Sequence, residues 1–231
     1  MKKTAASDAC VARTCMRDPI RDAIVSRILD GRFPPGTRLK ELALAREFNT
    51  SQAPVREALR ELETLGLVES ERYRGTRVRD IDIEELHHVY ELRIAIEEAA
   101  ARRAVPCRKE DLQRLTDEIA RMQQAIRDDD VEAYMVSAVN FHRDIVQMSG
   151  NRVFVRAWES MAWDVRARVA AKRIGLIGHY LDDRRRIVSA LRAGQGARAG
   201  RLLRQLIEKF VQRLLAIKAE AEAAPPAQRR A

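Results

Sequence analysis

The sequence predicts a mainly α protein in two parts: a compact unit of three helices and a β-hairpin over residues 17–80, then an antiparallel six-helix bundle over residues 82–222. Three observations carry this. Apolar residues recur at helical spacing through most of the 231 residues, β-prone runs are confined to residues 67–79, and Gly, Pro and Asp clusters punctuate the remainder at helix-length intervals. Hydrophobic residues make up 46% of the chain, ample for packed cores, and the length accommodates two domains.

In the first part, Ile20, Ile24, Ile28 and Leu29 mark a helix closed by Gly31 and the rigid turn Phe33-Pro34-Pro35-Gly36. Leu42, Ala45 and Phe48 form the apolar stripe of a second helix. After the break at Asn49-Thr50-Ser51, the stripe resumes at Val55, Leu59 and Leu62 in a third. Ser51 is placed to cap that helix by accepting a backbone N–H, and Pro54 falls in its first turn, where the missing donor costs little. Leu67-Val68-Glu69-Ser70 and Thr76-Arg77-Val78-Arg79 read as the strands of a hairpin with its tip at Arg72 to Gly75. Gln52, Arg56 and Arg60 are spaced four apart on the side of the third helix away from the stripe. A helix opened by small polar residues suits presentation to a DNA major groove. Arg can fork onto guanine, Gln can pair with adenine, and both can equally hold phosphates, so either contact stays open at each position. The plainer alternative is an ordinary solvated helix surface.

The second part begins with a helix from Asp82, carrying Leu86, Val89, Tyr90, Arg93, Ile94, Glu97 and Ala101 on or near one face and ending near Val105-Pro106. Next comes Lys109 to Ile126, with Leu112, Leu115, Ile119, Met122 and Ile126 as its stripe. Asp128-Asp129-Asp130 form a turn and N-cap for a third helix containing Tyr134, Ala138, Phe141, His142 and Ile145, which stops at Gly150. A fourth is expected from Asn151 or Arg152 to about Ile174, with Trp158 and Trp163 in its core or lining a cavity, before a break at Gly175 to Tyr180. The last two span Asp182 to Ala193 and Ala197 to about Ala221.

Lys and Arg outnumber Asp and Glu by 43 to 34, for a formal charge of +9, which favours a polyanionic partner. The surplus is uneven. Residues 17–80 carry 13 basic against 11 acidic side chains, residues 81–163 carry 11 against 16, and residues 164–231 carry 16 against 6. Placed arginines, rather than a uniformly positive domain, would therefore hold DNA; the basic last third either extends that footprint or balances the acidic middle as a solvated face. Cys10, Cys15 and Cys107 have neither metal-type nor disulfide-type spacing. With no signal peptide and no membrane-spanning run, the expected location is the cytoplasm. Four histidines and no phosphate loop, nucleophile elbow or paired-ligand motif exclude an enzyme reading, so no catalytic residue is assigned.

Pro35-Gly36-Thr37-Arg38-Leu39, Glu41-Leu42-Ala43-Leu44-Ala45, Pro54-Val55-Arg56-Glu57-Ala58-Leu59 and Leu65-Gly66-Leu67-Val68 occur in the order seen in the winged helix-turn-helix of GntR-family bacterial transcription regulators, which residues 17–80 resemble. By that resemblance Arg38 and Lys40 lie near phosphates, Gln52 and Arg56 lie at the recognition helix that Ser51 opens, and Gly75 sits at the wing tip. Gln52 stands where the family commonly has arginine, so the usual operator preference does not carry over. Leu92-Arg93, Glu97, Phe141-His142, Ser149-Gly150-Asn151 and the run from Ile187 to Gly194 similarly resemble the FadR-like, FCD-type C-terminal domain.

That second resemblance implies a metal site in many members, built from an Asp or Asn four residues before the histidine of the third bundle helix and from two later histidines. Here His142 matches the first histidine, but the carboxylate position falls on Ala138 and the later ones on Arg184 and Leu206. One imidazole is a poor site, so no metal and no cofactor are expected. His142 is then either a packed, hydrogen-bonded core residue or one wall of an effector pocket. Arg93 either locks its helix to Glu97 or, with Arg184, holds an anionic effector. The reading reached is a homodimeric, sequence-specific regulator of double-stranded operator DNA, acting as a repressor modulated by a small organic acid or related metabolite. The alternatives are a metabolite-independent dimeric repressor with a vestigial pocket and, less favoured, a nonspecific architectural DNA-binding protein.

Overall fold

In the computed structural model, residues 18–71, 75–80, 83–161, 163, 166–167 and 180–223 are described. They fall into two compact units that divide between residues 81 and 82. The hairpin tip at residues 72–74, Cys10, Cys15, and all of the expected break at Gly175 to Tyr180 except Tyr180 lie outside the described residues.

The first unit holds α1 (residues 18–29), β1 (Arg38–Leu39), α2 (Glu41–Glu47), α3 (Gln52–Thr64), β2 (Val68–Glu71) and β3 (Gly75–Val78). Ile20, Ile24, Leu44, Val55, Leu59, Leu62, Leu67 and Val78 close its core. The corner between α2 and α3 has a specific cause. Asn49 adopts a left-handed φ of 50°, which lets the Thr50 N–H reach the Ala45 carbonyl at 2.9 Å and the Asn49 N–H reach that of Arg46 at 3.2 Å. This Schellman pattern satisfies carbonyls that the end of α2 would otherwise leave open. Gly66 ends α3 in the same way, with the Leu67 N–H donating to Leu62 at 2.9 Å while both side chains are buried.

Three local expectations need correction. Leu42 is 50% exposed, and the buried face of α2 is Leu44 and Ala45 instead, because a seven-residue helix can turn only one narrow stripe inward. Ser51 occupies the N-cap with extended backbone, but its side chain makes no capping hydrogen bond. The hairpin strands run one residue away from their expected bounds, and they share a sheet of order β1-β3-β2 with Arg38–Leu39, a strand too short to announce itself by alternation.

The second unit contains α4 (Ile83–Arg103), α5 (Lys109–Arg127), α6 (Val131–Met148), α7 (Arg152–Glu159), α8 (Leu181–Arg192) and α9 (Gly196–Ala223). The pairs α4 with α9 and α5 with α6 pack along their lengths, and α8 lies against α5 and α9. Asp130 caps α6 by accepting from the Ala133 N–H at 2.9 Å, and Asn151 caps α7 through Val153 and Phe154. The expected helix from residue 151 to about 174 is broken. It stops at Glu159, where the Met161 N–H folds back to the Trp158 carbonyl at 3.2 Å, and the chain is helical again at Trp163, Arg166 and Ala167.

Helices α4 and α9 approach closely because Gly196 and Gly200 present no side chain to α4. A Cβ on Gly200 would lie 2.8 Å from the Glu98 carbonyl oxygen, and one on Gly196 would lie 2.7 Å from that of Arg102. Glu98 ties the same pair, accepting from Arg102 on α4 and from Arg204 Nε on α9, each at 2.6 Å. Gly200→Val is therefore expected to force the helices apart and destabilise the chain by about 1–3 kcal/mol, read as a lower midpoint in urea denaturation followed by circular dichroism.

Candidate nucleic-acid interface and ligand cavity

The seven residues assigned to DNA from sequence all reach solvent: Arg38, Lys40, Ser51, Gln52, Arg56, Arg60 and Gly75 are each exposed. The apolar face of α3, Val55, Ala58, Leu59 and Leu62, is fully committed to the core, which turns Gln52, Arg56 and Arg60 outward. Arg38 belongs to the wing. It pairs in register with Arg77, and its guanidinium covers Gly75, where a Cβ would stand 3.4 Å from Nε; the φ of 81° independently favours glycine there. Gly75 is thus the first residue of β3 and the floor beneath Arg38.

Glu41 is a residue that sequence reasoning passed over. Its carboxylate accepts from Arg56 Nε at 3.0 and 3.1 Å and from Nη2 at 2.7 Å, so the first turn of α2 holds the guanidinium of α3 in a fork. A contact fifteen residues apart leaves no local periodicity in the sequence. Its consequence is that Arg56 stands in a fixed direction at the surface, with only part of its donor set committed.

In the bundle, the three residues assigned to an effector converge. Arg93 on α4, His142 on α6 and Arg184 on α8 line one cavity, together with Tyr90, Tyr134, Tyr180, Ala138, Leu206, Phe210 and other apolar side chains. The cavity has a volume of about 50 Å³, room for several water-sized groups. All three polar residues are buried.

Behind the cavity lies the fully buried Glu97. Its Oε1 accepts from Arg93 Nε and from Trp158 Nε1, both at 2.7 Å, and its Oε2 accepts from His142 Nδ1–H at 2.6 Å. Burial alone would raise this carboxyl; the Arg93 guanidinium, then His142, and the Trp158 hydrogen bond reverse that and hold it down at about 2. Burial, reinforced by Arg93, pushes the His142 imidazole down to about 4 despite Glu97. At neutral pH the contact between them is accordingly a neutral imidazole donating to a carboxylate. Nδ1 carries the proton, and Nε2 is an acceptor with no hydrogen-bond partner among the described residues. His142 is thus a packed, hydrogen-bonded core residue that also borders the cavity. Arg93 bonds Glu97, lies 4.5 Å over the Trp163 ring and borders the cavity. Both tryptophans are core residues.

A metal of the family type does not fit these residues. Ala138, His142, Arg184 and Leu206 do border one space, but among the described residues no three His, Cys, Asp or Glu side chains cluster to hold an ion. The Arg184 guanidinium in the wall, with no carboxylate paired to it among the described residues, would oppose a divalent cation.

A helix-turn-helix with a β-wing, displaying a basic exposed face and joined in sequence to a helical bundle, defines a DNA-binding regulator. The chain belongs to the GntR family: the model for bacterial regulatory proteins of the gntR family matches residues 17–78, and that of the FCD domain matches residues 88–209. It is 32% identical over 185 residues to a probable D-xylose utilization operon transcriptional repressor of Paenarthrobacter nicotinovorans, covering 80% of this chain and 82% of that one. It is 28% identical to the HTH-type transcriptional repressor RspR of Escherichia coli, with 80% and 83% covered. Among solved structures, a putative GntR regulator from Rhodococcus sp. RHA1 superposes with a TM-score of 0.70 at 25% identity, covering 87% of this chain and 97% of that one. No described helix is long and apolar enough to cross a membrane.

The buried network sets a pH dependence. His142 ordinarily titrates at 6.5 and here at about 4, so between those values the unfolded chain binds more protons and stability falls as pH is lowered. Glu97, lowered from 4.5 to about 2, adds a second loss below pH 5. Urea denaturation of the full chain is expected to show on the order of 2–3 kcal/mol lost through His142 between pH 7 and 4, with the upper part of that slope flattened in His142→Asn. An unchanged slope in the variant would place the acid sensitivity elsewhere.

Proposed function

We propose that this chain is a dimeric transcriptional repressor of the FadR-like branch, reading a pseudo-palindromic operator and controlled by a small organic acid. The outward face of Gln52, Arg56 and Arg60 on α3 carries the DNA part of this reading, since it is the side of the helix that the core leaves free. In the complex, α3 would enter the major groove, with Gln52 and Arg56 reaching base edges and Arg38, Lys40, Arg60 and the wing at Gly75 holding phosphates. Two copies related by a two-fold axis would present two such helices to successive half-sites. The repressor sign is supported by the relatives in Paenarthrobacter nicotinovorans, a probable repressor, and Escherichia coli, a repressor.

Arg93, His142 and Arg184 around one cavity support the input. An effector that binds two conformations of the bundle unequally would shift their populations and with them the affinity for the operator. The open space beside Ala138 and Leu206 favours this over a closed, vestigial pocket. A DNA-binding protein of this kind would work in the cytoplasm.

The experiment is selection of the bound sequence from random duplexes, then footprinting on the selected site. Two protected half-sites about one helical turn apart are expected; uniform coating without a preferred site would overturn the reading. On that operator, Arg56→Ala is expected to weaken binding by about 1–3 kcal/mol and to relax preference at one base pair. Arg38→Ala should weaken all sequences alike and reduce the salt slope by about 1. Filter binding across a salt series distinguishes the two behaviours.

A further inference from the structure

The charges around the bundle cavity do not cancel. Arg93 is matched by Glu97 at 2.7 Å, and His142 is neutral at physiological pH, so neither leaves a net charge in the wall. Arg184 is different. Its side chain is more than nine-tenths buried, its Nε has no hydrogen-bond partner, and no carboxylate reaches it within ion-pair distance among the described residues. The adjacent Asp183 is engaged instead by Lys209 Nζ at 2.8 and 3.0 Å. Around the guanidinium stand the Tyr180 carbonyl at 3.3 Å from Nη1, the Tyr134 phenol, the Phe141 ring at 5.7 Å and the like charge of Arg93, while Asp183 attracts it only from beyond ion-pair distance. Residues 165–181 contain no Asp or Glu.

A buried guanidinium without a counterion is unfavourable in the ligand-free protein, and its fixed donors suit an incoming oxyanion. We propose that the cavity takes a metabolite bearing a single carboxylate, that Arg184 holds this carboxylate directly, and that no metal ion takes part. The inference rests on the effector reading above and deepens it. Among the described residues the wall holds one unmatched cation, which calls for one anion. A second carboxylate would meet the unprotonated Nε2 of His142, itself an acceptor, with the Glu97 carboxylate behind it. The rest of the wall, including Met135, Ala138, Val139, Leu206, Ile207 and Phe210, suits a short and largely apolar body. Arg184 thus supplies the positive charge that the carboxylate needs, without an ion. Arg93 is a positioning residue, committed to Glu97 and to the Trp163 ring.

The test uses the full chain dialysed against EDTA and thermal-shift titration with lactate, butyrate and benzoate, each beside its neutral amide, together with succinate and D-xylose. At least one monocarboxylate is expected to raise the melting temperature at millimolar concentration without metal, while its amide does not. Added Zn²⁺ should not improve that shift. Arg184→Met should weaken the response roughly tenfold or more, yet melt no lower than the parent when no anion is present, because it removes the uncompensated charge. Arg184→Lys should retain a weak response. A zinc requirement, equal binding of the amide, tighter binding of succinate, no response to any of the three acids, or a ligand-free Arg184→Met that melts well below the parent would each overturn the assignment.

Operator titration separates this inference from the reading beneath it. A monocarboxylate that binds through Arg184 without changing operator affinity keeps the site and removes ligand control. Operator release by D-xylose that persists in Arg184→Met keeps ligand control and removes the site.

Discussion

The buried carboxylate of Glu97 is the constraint on which the bundle's chemistry depends. It accepts hydrogen bonds from three donors on three different helices: Arg93 from its own α4, His142 from α6 and Trp158 from α7. A lone carboxylate at that depth would be neutralised or expelled, and one opposed by a single cation would be weak evidence of stability. Three donors change the balance, holding the carboxyl ionised and so fixing the neutral tautomer of His142 with its proton on Nδ1. Because Arg93 is consumed in this network, Arg184 is left as the unmatched charge. The polarity of the cavity is therefore decided by a residue behind its wall.

How much of this could be read in the sequence depended on the range of the interaction. Helices announced themselves through spacing, and their ends through local turn chemistry: Asn49 and Asp130 act within a few residues of their own positions. The i to i+4 pairing of Arg93 with Glu97 was legible for the same reason. His142 to Glu97 and Trp158 to Glu97 span 45 and 61 residues, and nothing local encodes them. The bond between Arg56 and Glu41 was hidden likewise. Sequence reasoning failed locally at Leu42, at the Ser51 side chain and at the break after Glu159. In each case the periodic or capping signal was short, or it continued through a turn that tertiary packing imposed.

Arg56 and Arg184 differ in what surrounds them, and the difference suits the tasks proposed for them. Arg56 is solvated and held by Glu41, a pair whose net contribution to stability is small in water but whose geometry narrows the directions in which the guanidinium can point. Such restriction lowers the conformational entropy lost on docking. Arg184 is desolvated and unpaired, so its environment disfavours the charge and burial pulls its pKa down. The first arrangement prepares a contact without strain; the second stores an unfavourable charge that a ligand relieves.

That stored imbalance also bears on control. A ligand changes an equilibrium only by its difference in affinity for the two states, and a hundredfold change in operator affinity corresponds to about 2.7 kcal/mol of coupling. A hydrogen bond to a charged group contributes roughly 1.5–3 kcal/mol. One carboxylate gripped by Arg184 in one bundle conformation and released in the other is therefore sufficient in magnitude, with no rearrangement of the core required. The apolar side chains of the cavity contact ligand in any conformation and so supply affinity more readily than discrimination. Selectivity between states is better placed on the guanidinium, because a charged contact depends steeply on distance and donor direction, whereas burial of a methyl group does not.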